Sequence, residues 1–253
     1  MKWADRASWP WPVLATIAAL MVSQTAAAAP VDLTGVWLRP PQKGDNARPD
    51  RINSPIPKPP LQPQAAAEYA ATRAKRQAAE AAGTPIATEK AVCLPDGMPA
   101  VLGTTLPLQI VQTPDEILMV FEVNTQVRHI YLNATSHPAD EDLEFTFFGD
   151  SIGRWEADTL VVDTVGVRKP TLLFEGAPHG DRLRISERYR LREPDLLEVT
   201  VTLTDPDVLD GPWTVTRLFA KQSGMRLREY ICLENQRTYA DDKGQLGTIL
   251  KSN

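Results

Sequence analysis

The chain has 253 residues, of which 43% are hydrophobic, and its 27 basic and 32 acidic side chains give a formal net charge of −5. This length suits one domain built around one sizeable core. The acidic balance argues against nucleic acid and against an anionic membrane surface as partners.

Residues 1–29 predict a cleavable secretory signal peptide. Lys2 and Arg6 form a short positive region, an apolar run follows at 13–22, and small residues at 25–29 provide a cleavage site. A membrane-spanning helix needs about 20 apolar residues, so this run is too short to span, and no other run approaches that length. An N-terminal core helix is the less favoured alternative, because prolines bracket the segment. We therefore expect an exported, periplasmic protein that does not span the membrane.

The region 30–105 predicts a first strand followed by peripheral structure. Residues 32–37 are typical of a strand, whereas the proline-rich stretch 39–63 predicts an extended surface segment because proline lacks a ladder donor. Residues 64–82 are rich in alanine with interspersed charges, and Gly83 stands where a helix would end. We expect one alanine-rich helix on the outside of the domain.

The region 106–253 predicts the β body of the protein. Nine short segments alternate apolar and polar residues and are separated by turn-forming residues, which indicates a meander of antiparallel strands. A sheet of this length closes or folds over to hide its edges. The fold class is therefore mainly β, an antiparallel lipocalin-like (calycin-type) barrel or closed sheet, with a sandwich as the alternative. The predicted strands are 106–112, 116–123, 126–132, 143–148, 159–164, 182–191, 196–204, 214–220 and 226–234.

The chain has two cysteines, Cys93 and Cys232. Two cysteines so far apart do not make a four-ligand zinc site. In an oxidising periplasm they favour one disulfide, which would tie the start of the β region to its last strand. Two buried free thiols, packed as small hydrophobic groups, are the alternative.

Several motifs together resemble a large family of secreted bacterial proteins, most of them without an established activity. They are GDSIGRWEADTLVVDT at 149–164, HGDRLRISERY at 179–189, DPDVLDGPW at 205–213, EYICLEN at 229–235 and the CLPDGMP segment at 93–99. The resemblance covers nearly all of the chain after residue 29. It implies that relatives include cofactor-free lyases acting on lignin-derived aromatic compounds.

A looser resemblance is to lipocalin-like barrels. Gly35-Val-Trp37 is similar to the Gly-x-Trp of a first lipocalin strand, in which the tryptophan closes one barrel end and stacks with an arginine from a late strand. That resemblance implies Arg226 or Arg228 as the partner of Trp37. The sequence departs from the pattern, since a second Gly-x-Trp occurs at 153–155 and a long insertion follows the first.

Strand parity places ionisable side chains on apolar faces, because residues two apart share a face. Glu187 lies in a row with Tyr189, Arg217 aligns with apolar neighbours, and Glu229 falls on a third apolar face. A buried carboxylate must be paired, hydrogen-bonded or protonated, so we expect Glu187 to face Arg217. Two glutamates near one arginine would raise one carboxyl pKa toward the range of a general acid or base.

The segment 126–132 carries two further candidates on opposite faces. Arg128 aligns with its apolar neighbours, and His129 aligns with Tyr131, while Asp163 follows an apolar position on another strand. A salt-bridge network that caps a barrel end would give the same pattern without any chemistry. A single β-bulge would also reverse the parity of a strand.

The remaining candidates lie in predicted loops, where a β scaffold commonly presents function. His137 and His179 each stand beside turn-forming residues. Ser151 lies in a Gly-x-Ser-x-Gly pattern, but a strand follows it instead of the helix that a nucleophile elbow needs, so we interpret it as a turn residue. Metal-ligand spacings and nucleotide-binding glycine loops are missing from the sequence, so we expect neither a metal nor another cofactor.

These observations favour a periplasmic barrel that binds a small hydrophobic or aromatic molecule. As an enzyme it would be a cofactor-independent lyase or isomerase, and the alternative is a non-catalytic lipocalin-like carrier. The sequence leaves open whether the protein forms a homodimer. The residues expected to move protons are Glu187, His179 and His137. The residues expected to bind substrate are Arg217, Arg128, Tyr189 and His129.

Overall fold

The computed structural model describes residues 30–43, 47–88, 90–235 and 238–248. The predicted signal peptide at 1–29 lies outside the described residues. Nine strands form a closed barrel, and two further strands form a separate hairpin. The barrel strands are β1 Gly35–Leu38, β2 Leu108–Gln112, β3 Glu116–Phe121, β4 Gln126–Tyr131, β5 Asp150–Glu156, β6 Thr159–Val165, β7 Arg184–Glu193, β8 Leu196–Thr204 and β9 Trp213–Lys221. The hairpin consists of β10 Thr238–Ala240 and β11 Leu246–Thr248.

The predicted mainly β, lipocalin-like barrel is confirmed, with one difference in strand direction. Neighbouring strands are antiparallel except β4 and β5, which are parallel and share the single register pair Tyr131↔Ile152. The connection 132–149 crosses back along the barrel, so β5 starts at the same end as β4. The barrel is therefore mixed, and the β4–β5 junction is a weak seam in its wall.

Two predicted strands are wrong and one strand was missed. Residues 143–148 contribute only the isolated bridge Thr146↔Val167. Residues 226–234 do not form a strand, because the chain leaves the barrel after β9 and turns at Cys232, so Glu229 is exposed and not on an apolar face. β5 begins at Asp150, directly after Gly149, whose φ of +68° makes the turn.

The predicted helix is confirmed as α1, Pro63–Ala81, the one α-helix among the described residues. Proline occupies its first turn, where the missing N–H is not needed, and Gly83 follows with φ +74°. No residue of α1 is fully buried. The helix is attached to the barrel through Tyr69, whose hydroxyl donates to the Glu175 carbonyl oxygen over 2.6 Å.

The proline-rich segment closes the second weak seam, between β1 and β9. These strands pair only at Trp37↔Lys221 and Leu38↔Ala220. Asn53 continues the ladder, because its side chain donates to the Leu218 carbonyl and accepts from the Leu218 N–H, over 3.1 and 2.7 Å. The segment contains a short 3-10 turn at Pro49–Arg51 and buries Arg51 and Asn53. It is therefore part of the barrel wall there, and not only the surface segment that the sequence predicted.

Trp37 is buried in the barrel core, and a cation lies over its ring. Its ring is fully buried, and its indole N–H donates to the Leu33 carbonyl over 2.9 Å. The cation over the ring is Lys221, 5.4 Å from the centroid. Arg226 or Arg228 was therefore the wrong expectation, because both lie beyond β9 in the exposed segment after the barrel.

Candidate functional site

A buried ion pair spans the barrel interior between β4 and β7. Arg128 and Glu187 are both fully buried, and the guanidinium meets the carboxylate with two nitrogens, Nη1 to Oε1 at 3.0 Å and Nη2 to Oε2. Tyr189 lies two residues along β7 on the same face, and its hydroxyl donates to Glu187 Oε1 over 2.6 Å. This fork-to-fork geometry is the strongest form of charged hydrogen bonding in proteins.

The remaining donors of Arg128 are also satisfied. Nε donates to Ser151 Oγ at 3.2 Å, Nη2 donates to Thr164 Oγ1 at 2.9 Å, and Nη1 also donates to the Tyr189 hydroxyl at 3.2 Å. The two hydroxyl groups of Ser151 and Thr164 are bonded to each other over 2.9 Å. The five N–H groups of the guanidinium therefore have acceptors on three different strands. We call the five side chains of Arg128, Ser151, Thr164, Glu187 and Tyr189 the interior network.

Burial governs the electrostatics of the interior network. Burial opposes the charge on Arg128, but Glu187 and Tyr189 together outweigh it and hold the pKa of Arg128 above its ordinary value. Burial, followed by the charge of Glu187, raises the pKa of the Tyr189 hydroxyl well above its ordinary value. The tyrosine is therefore a neutral donor, and the network contains one positive and one negative charge.

The network bridges the β4–β5 seam. Arg128 of β4 bonds to Ser151 of β5 at the place where the backbone ladder has only one register pair. Ser151 is thus a buried strand residue, and our interpretation of it as a turn residue was wrong. Parity predicted the buried position of Glu187 correctly, but its partner is Arg128 and not Arg217.

A cleft of about 350 Å³ lies outside this network, at the barrel end where β6 connects to β7. We call it the barrel-end cleft. Its walls come from the segment before β2, the β6–β7 connection and α1. Residues lining the cleft are Ile56, Arg76, Thr88, 94–96, Ala100, Gly103, Pro170 and 172–176.

Phe174 is the aromatic side chain in the wall of the barrel-end cleft. Its ring is buried and meets the edge of Trp213 with centroids 6.2 Å apart at 88°. Leucine side chains at 94, 172 and 173 add apolar surface, while Arg76, Asp96 and Glu175 add charges. The cleft can therefore accept an apolar body and orient a polar group.

The disulfide Cys93–Cys232 is present and borders a second cleft beside the first. This smaller space of about 310 Å³ shares Leu94, Asp96 and Gly103 with the barrel-end cleft, and Cys232 lines it. The predicted disulfide is confirmed, although it ties the cleft wall to the segment after β9 and not to a last strand. The cross-link restrains the segment that separates the two clefts.

The three histidines lie apart from the barrel-end cleft and from each other. His137 bridges two aspartates on the outer barrel wall, with Nδ1 2.5 Å from Asp150 Oδ1 and Nε2 3.2 Å from Asp163 Oδ2. His129 is half exposed and stacks beside Tyr131 with centroids 6.1 Å apart. The predicted loop positions of His137 and His179 agree with the structure.

His179 is buried in the β6–β7 connection. Its Nδ1 lies 2.7 Å from the Gly180 carbonyl oxygen, and its Nε2 has no hydrogen-bond partner. The Asp205 carboxylate accepts from the Gly180 N–H over 2.6 Å. The catalytic roles predicted for His137 and His179 stay predictions, since neither side chain lines the barrel-end cleft.

Arg217 occupies a separate environment from the other predicted binding residues. It points inward from β9 and lies over the ring of Phe174, 5.7 Å from the centroid. Its Nη1 donates to the Ser54 carbonyl oxygen over 3.1 Å. Arg217 therefore contacts the wall of the barrel-end cleft, whereas Arg128 and Tyr189 are closed inside the interior network.

The sequence did not indicate the cleft residues around Phe174. They belong to irregular chain, and no period of two or of 3.6 identifies them. The one available signal was the apolar run LLF at 172–174 inside a predicted loop, since loops are rarely so apolar unless they cover something. Among the described residues, no three histidine, cysteine, aspartate or glutamate side chains are grouped as metal ligands.

The comparisons with known protein families and with curated proteins add no functional assignment to this geometry. A scan against models of known protein families gave no match. A search of curated protein sequences also gave no match. Across the described residues, the structure contains no helix with the length and apolar character needed to cross a membrane.

Proposed function

We propose that this protein is an exported, periplasmic binding protein that takes a small hydrophobic or aromatic molecule into the barrel-end cleft. The observation that carries the proposal is the cleft, about 350 Å³ in volume and walled by leucines and the ring of Phe174. Small-molecule sites are typically concave, largely apolar and supplied with a few polar groups. An aromatic ligand also agrees with what the motif resemblance implied.

Binding is favoured over catalysis by the positions of the side chains expected to move protons. Glu187 is fully buried and committed to Arg128 and Tyr189, so a substrate would have to open the interior network to reach it. His137 is held between two aspartates on the outer wall. A cofactor-independent lyase or isomerase therefore stays a prediction, whereas a binding role needs only the cleft.

Export to an oxidising compartment is the second part of the proposal. The disulfide Cys93–Cys232 supports it, because structural disulfides persist in such compartments and are rare in the cytosol. Cell fractionation of the full chain, compared with a chain lacking residues 2–29, tests this part. We expect the first in the periplasm without its leader and the second in the cytosol, and equal distribution of the two would refute export.

The binding proposal is tested by filling the cleft. Ala100 lines it, so Ala100→Trp should occupy part of its volume. Ala71 lies exposed on α1, and Ala71→Trp provides a control with the same added indole. Binding of a panel of single-ring aromatic compounds is measured by tryptophan fluorescence, because Trp213 touches the Phe174 wall, and by thermal shift.

We expect Ala100→Trp to weaken binding by about tenfold or more, since lost contact with a small ligand readily amounts to 1.4 kcal/mol. Ala71→Trp should bind like the unchanged protein. Both variants should give circular dichroism spectra of the parent fold. Failure of every compound to bind, or equal binding by Ala100→Trp, would refute the proposal.

A further inference from the structure

Three arginines are buried among the residues that the structure describes, and two of them have a carboxylate partner. Arg51 is 8% exposed and bonds to Asp195 and Glu193, and Arg128 is 1% exposed and bonds to Glu187. Arg217 is 4% exposed, and no carboxylate of the described chain lies within ion-pair distance of it. Its acceptor is the Ser54 carbonyl oxygen, and its Nε has no partner.

A second arginine increases the positive charge in the same place. Arg39 donates from Nη1 to the Gly103 carbonyl over 2.9 Å, and its Nε is likewise buried without a partner. Burial, and then the charge of Arg39, lower the pKa of Arg217, while the Glu175 carboxylate partly opposes this effect. Glu175 is exposed, so water screens its charge more than it screens the charge of Arg217.

Both guanidinium groups contact the wall of the barrel-end cleft. Arg39 bonds to Gly103, and Arg217 lies over Phe174; both of these residues line the cleft. Neither arginine is itself a lining residue, so their charges act on the cleft through its protein wall and not by direct contact. Charges are screened less across such a wall than across water.

An uncompensated buried cation is costly, and the protein would gain from supplying it with an anion. The desolvation of a buried ion is repaid only by a partner of opposite charge with good geometry. Arg51 and Arg128 obtain that partner from within the chain, whereas Arg217 and Arg39 bond only to carbonyl oxygens. Nε of Arg51 also has no partner, so the missing carboxylate, and not the spare donor, distinguishes Arg217 and Arg39. A bound anionic group would complete the pattern.

We infer that the barrel-end cleft selects anionic ligands, namely small aromatic or aliphatic carboxylates, through the unpaired charges of Arg217 and Arg39. This inference rests on the proposed binding function and names the chemical class of its ligand. The apolar wall takes the body of the ligand, and the carboxylate lies toward Phe174 and Gly103. Glu175 and Asp96, which also line the cleft, would repel a second acidic group and favour a monoanion.

Benzoate and benzamide provide a matched pair of probes, since they share size and shape and differ in charge. Their dissociation constants are measured by titration calorimetry at low salt, with the full chain. We expect benzoate to bind about tenfold more tightly than benzamide, because attraction between opposite charges is weakly screened across the protein wall. Added salt should reduce the difference.

Three variants assign the preference to its source. Arg217→Gln should abolish most of the benzoate preference, and Arg39→Gln should reduce it, while benzamide binding stays nearly constant in both. Arg51→Gln is the control: it removes a buried arginine that has its own carboxylates, so it should lower the melting temperature and leave the preference intact. Thermal melts of all three variants confirm that they are folded.

The outcomes separate this inference from the proposal beneath it. Equal affinity for benzoate and benzamide, with both lost in Ala100→Trp, would overturn the anionic selectivity and leave the cleft as a binding site. A benzoate preference that survives in Arg217→Gln and Arg39→Gln together would show that other groups cause it and would also overturn the inference. No binding of either probe, and none in the wider panel, would refute the binding function and the inference with it.

Discussion

The buried pair Arg128–Glu187 makes the sharpest stability prediction, because each side chain leaves the other uncompensated when it is removed. Arg128→Met and Glu187→Leu replace the charged groups by apolar ones of similar volume. Each single variant should lose about 3–5 kcal/mol of unfolding free energy, the usual penalty for breaking a buried ion pair from one side. For a chain of this size the melting temperature should fall by roughly 6–20 °C.

The double variant distinguishes pairing from independent contributions. Replacing a whole buried ion pair by apolar side chains is often neutral for stability, so the double variant should be more stable than either single variant. The cycle should give a coupling free energy of about 3 kcal/mol or more. In the double variant, Tyr189 on β7 and Ser151 on β5 lose the guanidinium to which both are bonded. We therefore do not expect the double variant to recover the full unfolding free energy of the parent protein.

Urea unfolding followed by tryptophan fluorescence and circular dichroism measures all four corners of the cycle. Single variants within about 1 kcal/mol of the parent, or a strictly additive double variant, would refute the idea that this ion pair stabilises the barrel by joining β4 to β7. Benzoate titration of the folded double variant adds a functional readout. The interior network does not line the cleft, so the double variant should bind benzoate with the affinity of the parent protein. A loss of benzoate binding in a folded double variant would support the predicted contact of Glu187 and Arg128 with substrate.

Three further predictions concern other parts of the barrel. Burial keeps Tyr189 neutral above the pH at which an unfolded tyrosine ionises, so its contribution is complete below about pH 10 and is lost as the pH rises further. In Tyr189→Phe, urea melts from about pH 9 to about pH 11 should therefore show a shallower fall of unfolding free energy, by up to about 1.4 kcal/mol per pH unit, and an unchanged slope would contradict the assignment. The disulfide closes a loop with a sequence separation of 139 residues, so Cys93→Ala with Cys232→Ala should lower the unfolding free energy by about 2–5 kcal/mol. Dithiothreitol should lower the melting temperature of the parent protein and not that of the variant. An unchanged melting temperature of the parent protein in dithiothreitol would argue against this role. Gly97 has φ +63°, and a Cβ there would meet the Phe147 carbonyl oxygen, whereas a Cβ at Gly211 would have no other atom within 4 Å beyond its chain neighbours. Gly97→Ala should cost about 1–3 kcal/mol and Gly211→Ala less than about 1 kcal/mol in the same urea assay, and equal effects would exclude backbone strain as the cause.

Side-chain hydrogen bonds reinforce both weak seams of the barrel, those of the interior network at one seam and those of Asn53 at the other. At the β4–β5 seam, side-chain bonds from Arg128 replace backbone pairs that the parallel crossing does not form. At the β1–β9 seam, Asn53 of the proline-rich segment does the same for Leu218. The charged core is accounted for by closure alone, so its presence is no argument for chemistry inside the barrel.

Strand parity in the sequence identified four of the polar side chains that are buried, although it was wrong for Glu229, whose segment forms no strand. Glu187, Tyr189, Arg128 and Arg217 all point inward as their alternating neighbours predicted, because the direction of a side chain in a strand depends on its immediate neighbours. The helix and its end at Gly83 followed from composition for the same local reason. Seven of the nine predicted strands, all but those at 143–148 and 226–234, are present with boundaries within two residues of the prediction.

Partner choice and the cleft were decided by tertiary structure. Glu187 pairs with Arg128, 59 residues away, and nothing local distinguishes that partner from Arg217. Residues 143–148 and 226–234 alternate like strands, yet the crossing to β5 and the departure after β9 leave them outside the barrel ladder. Pairing energy depends on which strands become neighbours, and the cleft depends on the β1–β2 and β6–β7 connections, which meet at one barrel end. The contacts between strands and between these connections form only when the barrel closes. Short-range patterns in the sequence therefore do not contain them.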